Sequence, residues 1–573
     1  MKLRNKSFQM LTFVLIFGLL LAGCEPSTTT VQMTIDYKHT NPKVEPTSEP
    51  AAEAAAQPMA EPTAAPQPEP TAAPVAEAAA APAAGPADPI TAATMQACAN
   101  MPATTVQVTI AHTNDIYEIG SVAGGTLGGT PRLSTLRKLL LVGNPNTILT
   151  FAGDLYFPSG MGNAVVDGTP LDGEQAVDAL NQVGIDYMTF GDHEIDFIAQ
   201  EEFDARMAET QFPIVSSNVF GPDGEPFAGV IKNDVREFSN ANGDVMKLGV
   251  FGVTKAIRQG DVQFSWTDPI TATIDQVAEL RDNVDVLLAI THMKIRDDKK
   301  YAERFPEIDI VVGGDEHESM AVPGPEGVAT VYKADSNARS AYIIEICYDT
   351  ASQELTTVAR LQPLDNTIAE DPALVETVEK WKGIAFAALG ADGTMEPARV
   401  VSTTPVDLDA FMTTIRNGPS HFTKLVLDAI LHASLADTEL AINYSWNLRL
   451  DDLIPAGYPV IEYDVIRTLP IQNPNVRTAL MPGSRLKEMF DRNDKEAGSG
   501  YFLLYSENVQ RAADGSWIIN GEPLEASRMY QVGTVDSTFD DPCRCPWPDD
   551  SPILADGIDF RQALINELAA NSQ

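Results

Sequence analysis

The residue types that bind cations and hand over protons recur in five short stretches of this chain. Asp115 closes His112-Thr113-Asn114-Asp115, and Asp154 follows Gly153. Phe190-Gly191-Asp192-His193-Glu194-Ile195-Asp196 sets one histidine among three carboxylates. His292 follows Thr291, and Gly313-Gly314-Asp315-Glu316-His317 ends the series. Oxygen and imidazole ligands without thiolates suit Mn, Mg, Zn, Fe or Ca. A carboxylate shared by two such ions allows a pair about 3.5–4 Å apart, the arrangement used on phosphate esters. The plain alternative for residues 190–196 is a helix start, with Asp192 as cap and Glu194 and Asp196 in the positive first turn. Any single histidine, His112 foremost, could equally be a hydrogen-bonded core residue.

The elements that must position these residues are legible from 104 onward. Short apolar runs (Val106–Ala111, Thr147–Ala152, Tyr187–Phe190, Val286–Ile290, Ile308–Val312) each lead into one of the five stretches. Helix candidates lie between them at Arg132–Leu141, Glu174–Val183 and Ile270–Arg281. This alternation predicts an α/β layered domain whose strand ends gather on one rim, so that ligands far apart in sequence converge. Four of the seven histidines fall at these strand ends, which a random scatter would rarely produce.

As an ordered series, the five stretches together with Gly128-Gly-Thr-Pro-Arg132-Leu133 resemble the bacterial 5′-nucleotidase / UDP-sugar hydrolase family over roughly 104–573. The resemblance implies a four-layer αββα metallophosphoesterase domain (104–365), a connecting helix (366–400) with its helical part at Pro372–Ala387, and a smaller α/β substrate-binding domain (401–573). It implies two divalent ions, Mn, Mg or Zn. Asp115 and His317 would hold the first, Asp154 would bridge, and Asp192, His292 and Asp315 would hold the second. His193 falls at the family's transition-state-stabilising histidine and Asp196 at its orienting aspartate. A carboxylate that fixes an imidazole's tautomer leaves the other ring nitrogen for the substrate. The chain departs from the family with Tyr117 for a histidine ligand, Asp192 for asparagine and Asp315 for histidine. These changes predict a harder and more anionic cage.

In the C-terminal half, Arg416-Asn-Gly-Pro-Ser-His-Phe-Thr-Lys-Leu-Val-Leu-Asp428 and Asn443-Tyr-Ser-Trp-Asn-Leu-Arg449 partly match the family's substrate motifs. Arg416, Arg449, Asn473 and Phe539 are the substrate-binding candidates that follow. Arginine's planar fork suits a carboxylate or phosphate. Ile471 stands where the family has a base-stacking phenylalanine, so Phe539 or Trp446 would have to take that part.

The N-terminal end reads as an export signal. Lys2, Arg4 and Lys6 precede an apolar run, and Leu21-Ala22-Gly23-Cys24 resembles a bacterial lipobox. This predicts a leader at 1–23 and a lipid on Cys24, leaving the protein anchored to the membrane and facing periplasm or exterior. Residues 24–103 hold 13 of the 40 prolines counted through Pro89, among Ala, Glu and Thr, and read as a disordered tether. A net charge of −41 argues against a nucleic acid polymer as partner, leaving a small nucleotide or phosphoester substrate. Cys98, Cys347, Cys543 and Cys545 could pair in three ways. Cys347 reads as a buried thiol within an apolar run, with Cys98 free to join Cys543 or Cys545. Two functions are consistent with this pattern: a surface-anchored two-metal phosphoesterase acting on nucleotides, nucleotide-sugars or 2′,3′-cyclic nucleotides, and a catalytically silent nucleotide- or metal-binding lipoprotein on the same scaffold.

Overall fold

A computed structural model describes residues 88–471, 473–540, 547–548 and 551–571. The leader, Cys24, Cys543 and Cys545 lie outside the described residues. Two sheets carry the five stretches. One has seven strands in the order Glu354–Pro363, Ser340–Asp349, β1 (Thr105–Thr113), β2 (Thr147–Phe151), β3 (Tyr187–Met188), Ile214–Val215, Val230–Ile231. The other has six, with β4 (Val245–Thr254), β5 (Val286–His292) and β6 (Ile310–Gly314) at its centre. β1, β2 and β3 are mutually parallel, as are β4, β5 and β6, so their carboxyl ends point one way within each sheet.

Apolar residues on alternate positions explain the layering, because successive side chains of a strand face opposite sides. Val106, Val108 and Ile110 of β1 pack between the sheets with Val250, Leu288 and Ile290. Ala111, Leu149 and Phe151 face outward onto Leu133, Leu136 and Leu140 of the helix Thr130–Gly143. On the opposite side Leu287 and Ala289 meet Leu280 and Tyr301 from the helices Pro269–Leu280 and Ile295–Arg304. Each fully buried Val, Leu or Ile contributes about 1.5–3 kcal/mol. The result is the predicted four-layer α/β/β/α domain, and the expected helix Glu174–Val183 forms with those bounds.

Of the expected tether, residues 24–87 lie outside the described residues, and the part from 88 to 103 is folded. Pro89–Gln96 is a helix, capped by the Asp88 carboxylate on the Ile90 N–H. Thr91 Oγ donates to the Leu139 carbonyl at 3.0 Å and Thr94 is fully buried, so this segment belongs to the folded head. Cys347 is not a free thiol. It is disulfide-bonded to Cys98, with Cα atoms 5.7 Å apart, and this pins the helix to the strand Ser340–Asp349.

The connecting helix spans Pro372–Leu389 and leads into a second α/β unit. There a five-stranded sheet (Leu503–Tyr505, Leu440–Tyr444, Met529–Val535, Asn475–Pro482, Ile553–Asp559) packs on the helices His421–Ala433 and Phe560–Ala570. Buried charge joins the two halves. The Arg467 guanidinium meets Asp452 at 2.9 Å and Glu118 at 3.5 Å, and Tyr463 donates to Glu118. Among the described residues no helix is long and apolar enough to cross a membrane.

Candidate active site

The strand-end residues meet at the rim between the two sheets. His292 Nε2 stands 3.3 Å from Asp192 Oδ1 and 3.4 Å from Asp154 Oδ1. Asp115 Oδ1 lies 3.6 Å from His317 Nε2. Asp154 is central, as expected of a bridging carboxylate: one oxygen faces His292 and the other accepts from the Tyr117 hydroxyl at 3.0 Å. Asp115, Asp154 and Asp315 take left-handed backbone conformations, with φ of 53°, 63° and 78°. Aspartate tolerates this region, and such turns bend each chain sharply as it leaves its strand. The turns also pack backbone on backbone: a Cβ on Gly191 would sit 2.0 Å from Asp154 Oδ1, and one on Gly153 2.1 Å from the Gly191 nitrogen.

Residues 190–196 do not start a helix; the next helix begins at Gln200. The carboxylate of Glu194 instead accepts three backbone N–H groups, from Gly191, Asp154 and Leu155, and so clamps two of the ligand turns together. His193 Nδ1 is 3.0 Å from Asp196 Oδ1, which fixes the Nδ1 proton. Burial alone would depress this imidazole, but Asp154, Asp192 and Asp196 outweigh it and raise its pKa to about 9. Phe157 and Phe197, stacked 4.8 Å apart, wall the ring on its open side.

Three groups near the cluster alter the expected cage. The Tyr117 hydroxyl lies 3.1 Å from Asp115 Oδ1, 3.0 Å from Asp154 Oδ2 and 3.1 Å from His317 Nε2. Burial and the two carboxylates push its pKa well above the usual value, so it is a neutral phenol. Lys255 Nζ is 2.9 Å from Asp192 Oδ1 and also bonds Asp315 Oδ1. Lys294 Nζ holds the other oxygen of Asp315 at 3.0 Å. Although burial opposes ionisation of Asp315, the two ammonium groups keep its pKa far below the usual range. Lys255 and Lys294 therefore offset part of the negative charge that the four aspartates bring to the expected cage.

The ligand chemistry fits a divalent cation. His292 Nδ1 faces the Ala152 carbonyl at 2.5 Å and must donate to it, leaving Nε2 buried, aimed at Asp154 and Asp192, with no hydrogen-bond partner. An imidazole fixed in this way by a carbonyl is a typical metal ligand. Three groupings of acid and histidine side chains are close enough to hold an ion: Asp115 with Asp154 and His292, Asp154 with Asp192 and His193, and Asp192 with His292 and Asp315.

The C-terminal half supplies part of the predicted substrate contacts. Arg416 lines a cleft of about 150 Å³ with Lys294, Asp315, His317 and Met412. Burial and the neighbouring Arg449 lower its pKa to about 10. Nε of both Arg416 and Arg449 is buried without a hydrogen-bond partner, and neither guanidinium forms an ion pair among the described residues. The other two candidates serve the fold instead. Asn473 is exposed and accepts from the Arg561 N–H at 3.1 Å at the start of the helix Phe560–Ala570. Phe539 packs on Trp547, centroids 4.7 Å apart, and the Arg477 guanidinium lies 4.9 Å from its ring centre. That ring is taken up by neighbours and does not offer a stacking face to a base. His112, fully buried, bonds Thr150 Oγ and the Gly313 carbonyl, both at 3.0 Å, and is a core residue between the sheets.

Sequence reading missed Lys255, Lys294 and Asp451. Lys255 directly follows β4, a strand end like the other five, but a lysine there carries no metal-ligand signal. Asp451 comes from the C-terminal half and accepts from His317 Nδ1 at 2.9 Å, from Ser336 and from the Met412 N–H. No local pattern signals that contact.

Two stacked parallel-centred sheets with an aspartate–histidine cluster at their common rim define the class of calcineurin-like phosphoesterases. Residues 108–319 match the family model "Calcineurin-like phosphoesterase", and 400–540 match "5′-nucleotidase, C-terminal domain". The chain is 24% identical to the 5′-nucleotidase of Bos taurus over 374 residues, 60% of this chain and 62% of that protein. It is 23% identical to Protein UshA of Yersinia enterocolitica over 509 residues, 75% of this chain and 85% of that one. The chain thus spans about 60% of the length of the vertebrate 5′-nucleotidases it matches. Among solved structures, a 5′-nucleotidase precursor from Thermus thermophilus shares the fold, with TM-score 0.63, 20% identity and coverage of 81% of this chain and 96% of that one. In two successive regions the chain is thus similar to the calcineurin-like phosphoesterases and to the C-terminal domain of 5′-nucleotidases.

Proposed function

We propose that this chain is an exported phosphoesterase, held to the membrane by a lipid on Cys24, that removes or opens the phosphate group of a nucleotide. The observation that carries the reading is the aspartate–histidine cluster with unpaired guanidinium groups beside it. Asp115, Asp154 and His292, and Asp192, His292 and Asp315, are each close enough to hold an ion, and the His193–Asp196 pair adjoins them. Arg416 lines a cleft with Asp315 and His317, and neither Arg416 nor Arg449 forms an ion pair among the described residues. A divalent ion held by the aspartates and His292 supplies Lewis acidity toward a phosphoryl oxygen and toward water. His193, its Nδ1 proton held by Asp196, presents Nε2–H to a phosphoryl oxygen and stabilises charge that develops there. Arg416 and Arg449 orient the anionic part of the substrate with paired N–H donors. The Phe157–Phe197 wall limits water at His193. Nucleoside monophosphates, nucleotide-sugars and 2′,3′-cyclic nucleotides all meet these demands. Phosphate release from AMP and simple sugar phosphates, and chromatographic conversion of UDP-glucose to UMP and of 2′,3′-cyclic AMP to its monophosphate, all with added Mn, test the proposal; no turnover of any of them refutes it.

One observation favours a second reading. Tyr117 and Lys255 bond to groups that the resemblance assigns to cations. A binding protein without turnover would keep such contacts, and calorimetry would then show nucleotide held and recovered unchanged.

A further inference from the structure

Behind the aspartate–histidine cluster lies a buried cation that the proposed chemistry does not use. Lys333 ends the strand Val331–Lys333, which runs parallel to β6 with Lys333 opposite Gly313. Its side chain is fully buried. The ammonium donates to the Met293 carbonyl at 2.5 Å, to the Gly314 carbonyl at 2.7 Å and to the Glu316 carboxylate. Asp298 Oδ2 lies 2.7 Å away and completes a cage of four oxygens. Burial alone would lower the pKa of this amine, but Asp298 and Glu316 outweigh it and keep the group charged. Gly313 leaves the stem its room: a Cβ there would stand 3.1 Å from Lys333 Cε and 2.7 Å from Thr291 Oγ.

The four oxygens come from the segments that follow β5 and β6. Met293 directly follows His292, and Gly314 directly precedes Asp315. Asp298 sits in the first turn of the helix Ile295–Arg304 that leaves β5, and Glu316 stands between Asp315 and His317. Glu316 also ties the two segments directly, because its other oxygen accepts the Ile295 N–H at 2.8 Å. Take the ammonium away, and two carboxylates and two carbonyls face one another in a dry space. Buried oxygens of that kind keep such an approach only with a cation or donor between them.

We infer that Lys333 is a positioning residue, an internal cation that sets the spacing of the segments after β5 and β6, and so of His292 against Asp315 and His317, from behind the cluster. It acts through main-chain oxygens beside those residues and touches none of their side chains. The cage it fills has the donors of a small-cation site, so a free ammonium ion should take its place when the side chain is cut back. This goes beyond the phosphoesterase reading and holds whether or not the chain turns over a substrate.

The test is hydrogen exchange on the full chain, read by mass spectrometry. In Lys333→Ala the amides of 293–298 and 313–317 should exchange about tenfold or more faster than in the wild type, while those of Leu440–Tyr444 change less than about twofold. Ammonium chloride should bring both segments back toward the wild-type rate, and tetramethylammonium chloride, which has no N–H to donate, should not. Mn should bind the variant about 10–100-fold more weakly than the wild type, as when the support of a metal ligand is lost. Exchange that rises equally everywhere or in neither segment overturns the inference, and so does rescue by both salts alike or an unchanged Mn affinity. Glu316→Gln is the milder variant, since its NH₂ must face either Lys333 or the Ile295 N–H. It should speed exchange at 313–317 about tenfold. No change there in the folded variant overturns the inference even if Lys333→Ala does not fold. Phosphate release on the same samples separates the two proposals. The expected exchange without turnover in the wild type sinks the phosphoesterase reading alone, and turnover with unchanged exchange in the variants sinks this one alone.

Discussion

Glu194→Ala is the sharpest test of how the ligand turns are held. The Glu194 carboxylate is fully buried and accepts N–H groups from Asp154 (3.0 Å), Gly191 and Leu155. Truncation leaves three donors in a dry site. An unsatisfied buried donor costs about 1–3 kcal/mol. Allowing water into the space left by the side chain to satisfy one of them, the loss is about 2–6 kcal/mol, a large part of the roughly 5–15 kcal/mol that holds a domain folded. At about 2–4 °C per kcal/mol for a domain of this size, Tm should fall by at least about 4 °C. Glu194→Gln keeps one acceptor oxygen but turns an NH₂ toward a donor, so an intermediate loss of about 1–3 kcal/mol is expected. Urea denaturation followed by tryptophan fluorescence measures both, with Glu201→Ala, an exposed carboxylate, as the control expected to change stability by less than about 0.5 kcal/mol. A loss below about 1 kcal/mol for Glu194→Ala would show that the carboxylate does not clamp these turns, and would undo the account of how Asp154 and Asp192 are brought together.

His193→Ala should lower kcat by about 10²–10³ while leaving bound Mn unchanged, since the ring stabilises charge and is not a ligand; steady-state kinetics with metal analysis checks both. Arg416→Ala and Arg449→Ala should each raise KM about tenfold or more with a smaller effect on kcat, as expected for groups that bind the anion before reaction. Cys98→Ser should cost about 2–5 kcal/mol, because the bridge to Cys347 closes a separation of 249 residues, and dithiothreitol should reproduce the loss in the wild type. Equal urea midpoints with and without reductant would exclude that bridge as a stabiliser.

The sequence by itself determined the layers and the rim. Short apolar runs such as Val106–Ala111 and Val286–Ile290, with helices between, leave few ways to hide two faces of each sheet. It also determined which acids and histidines end the strands, because strand ends in parallel sheets share one edge whatever the details of packing. Asp115, Asp154, Asp192, His193, His292 and His317 were legible for that reason. The tertiary structure alone decided what those residues do to one another. Glu194 became a clamp and not a helix-turn acid, because two of its three backbone partners come from a turn 39 and 40 residues away. Asp315 gained an ion-pair partner that its own motif does not show, because a lysine from the end of another strand reaches it. Phe539 and Asn473 kept the motif positions but lost the site, since Arg477, Trp547 and Arg561 reach them first. Burial periodicity is written in neighbouring residues and can be read along the chain, whereas a buried charge is satisfied by whichever group the fold brings within about 3 Å, and that distance exists only in three dimensions.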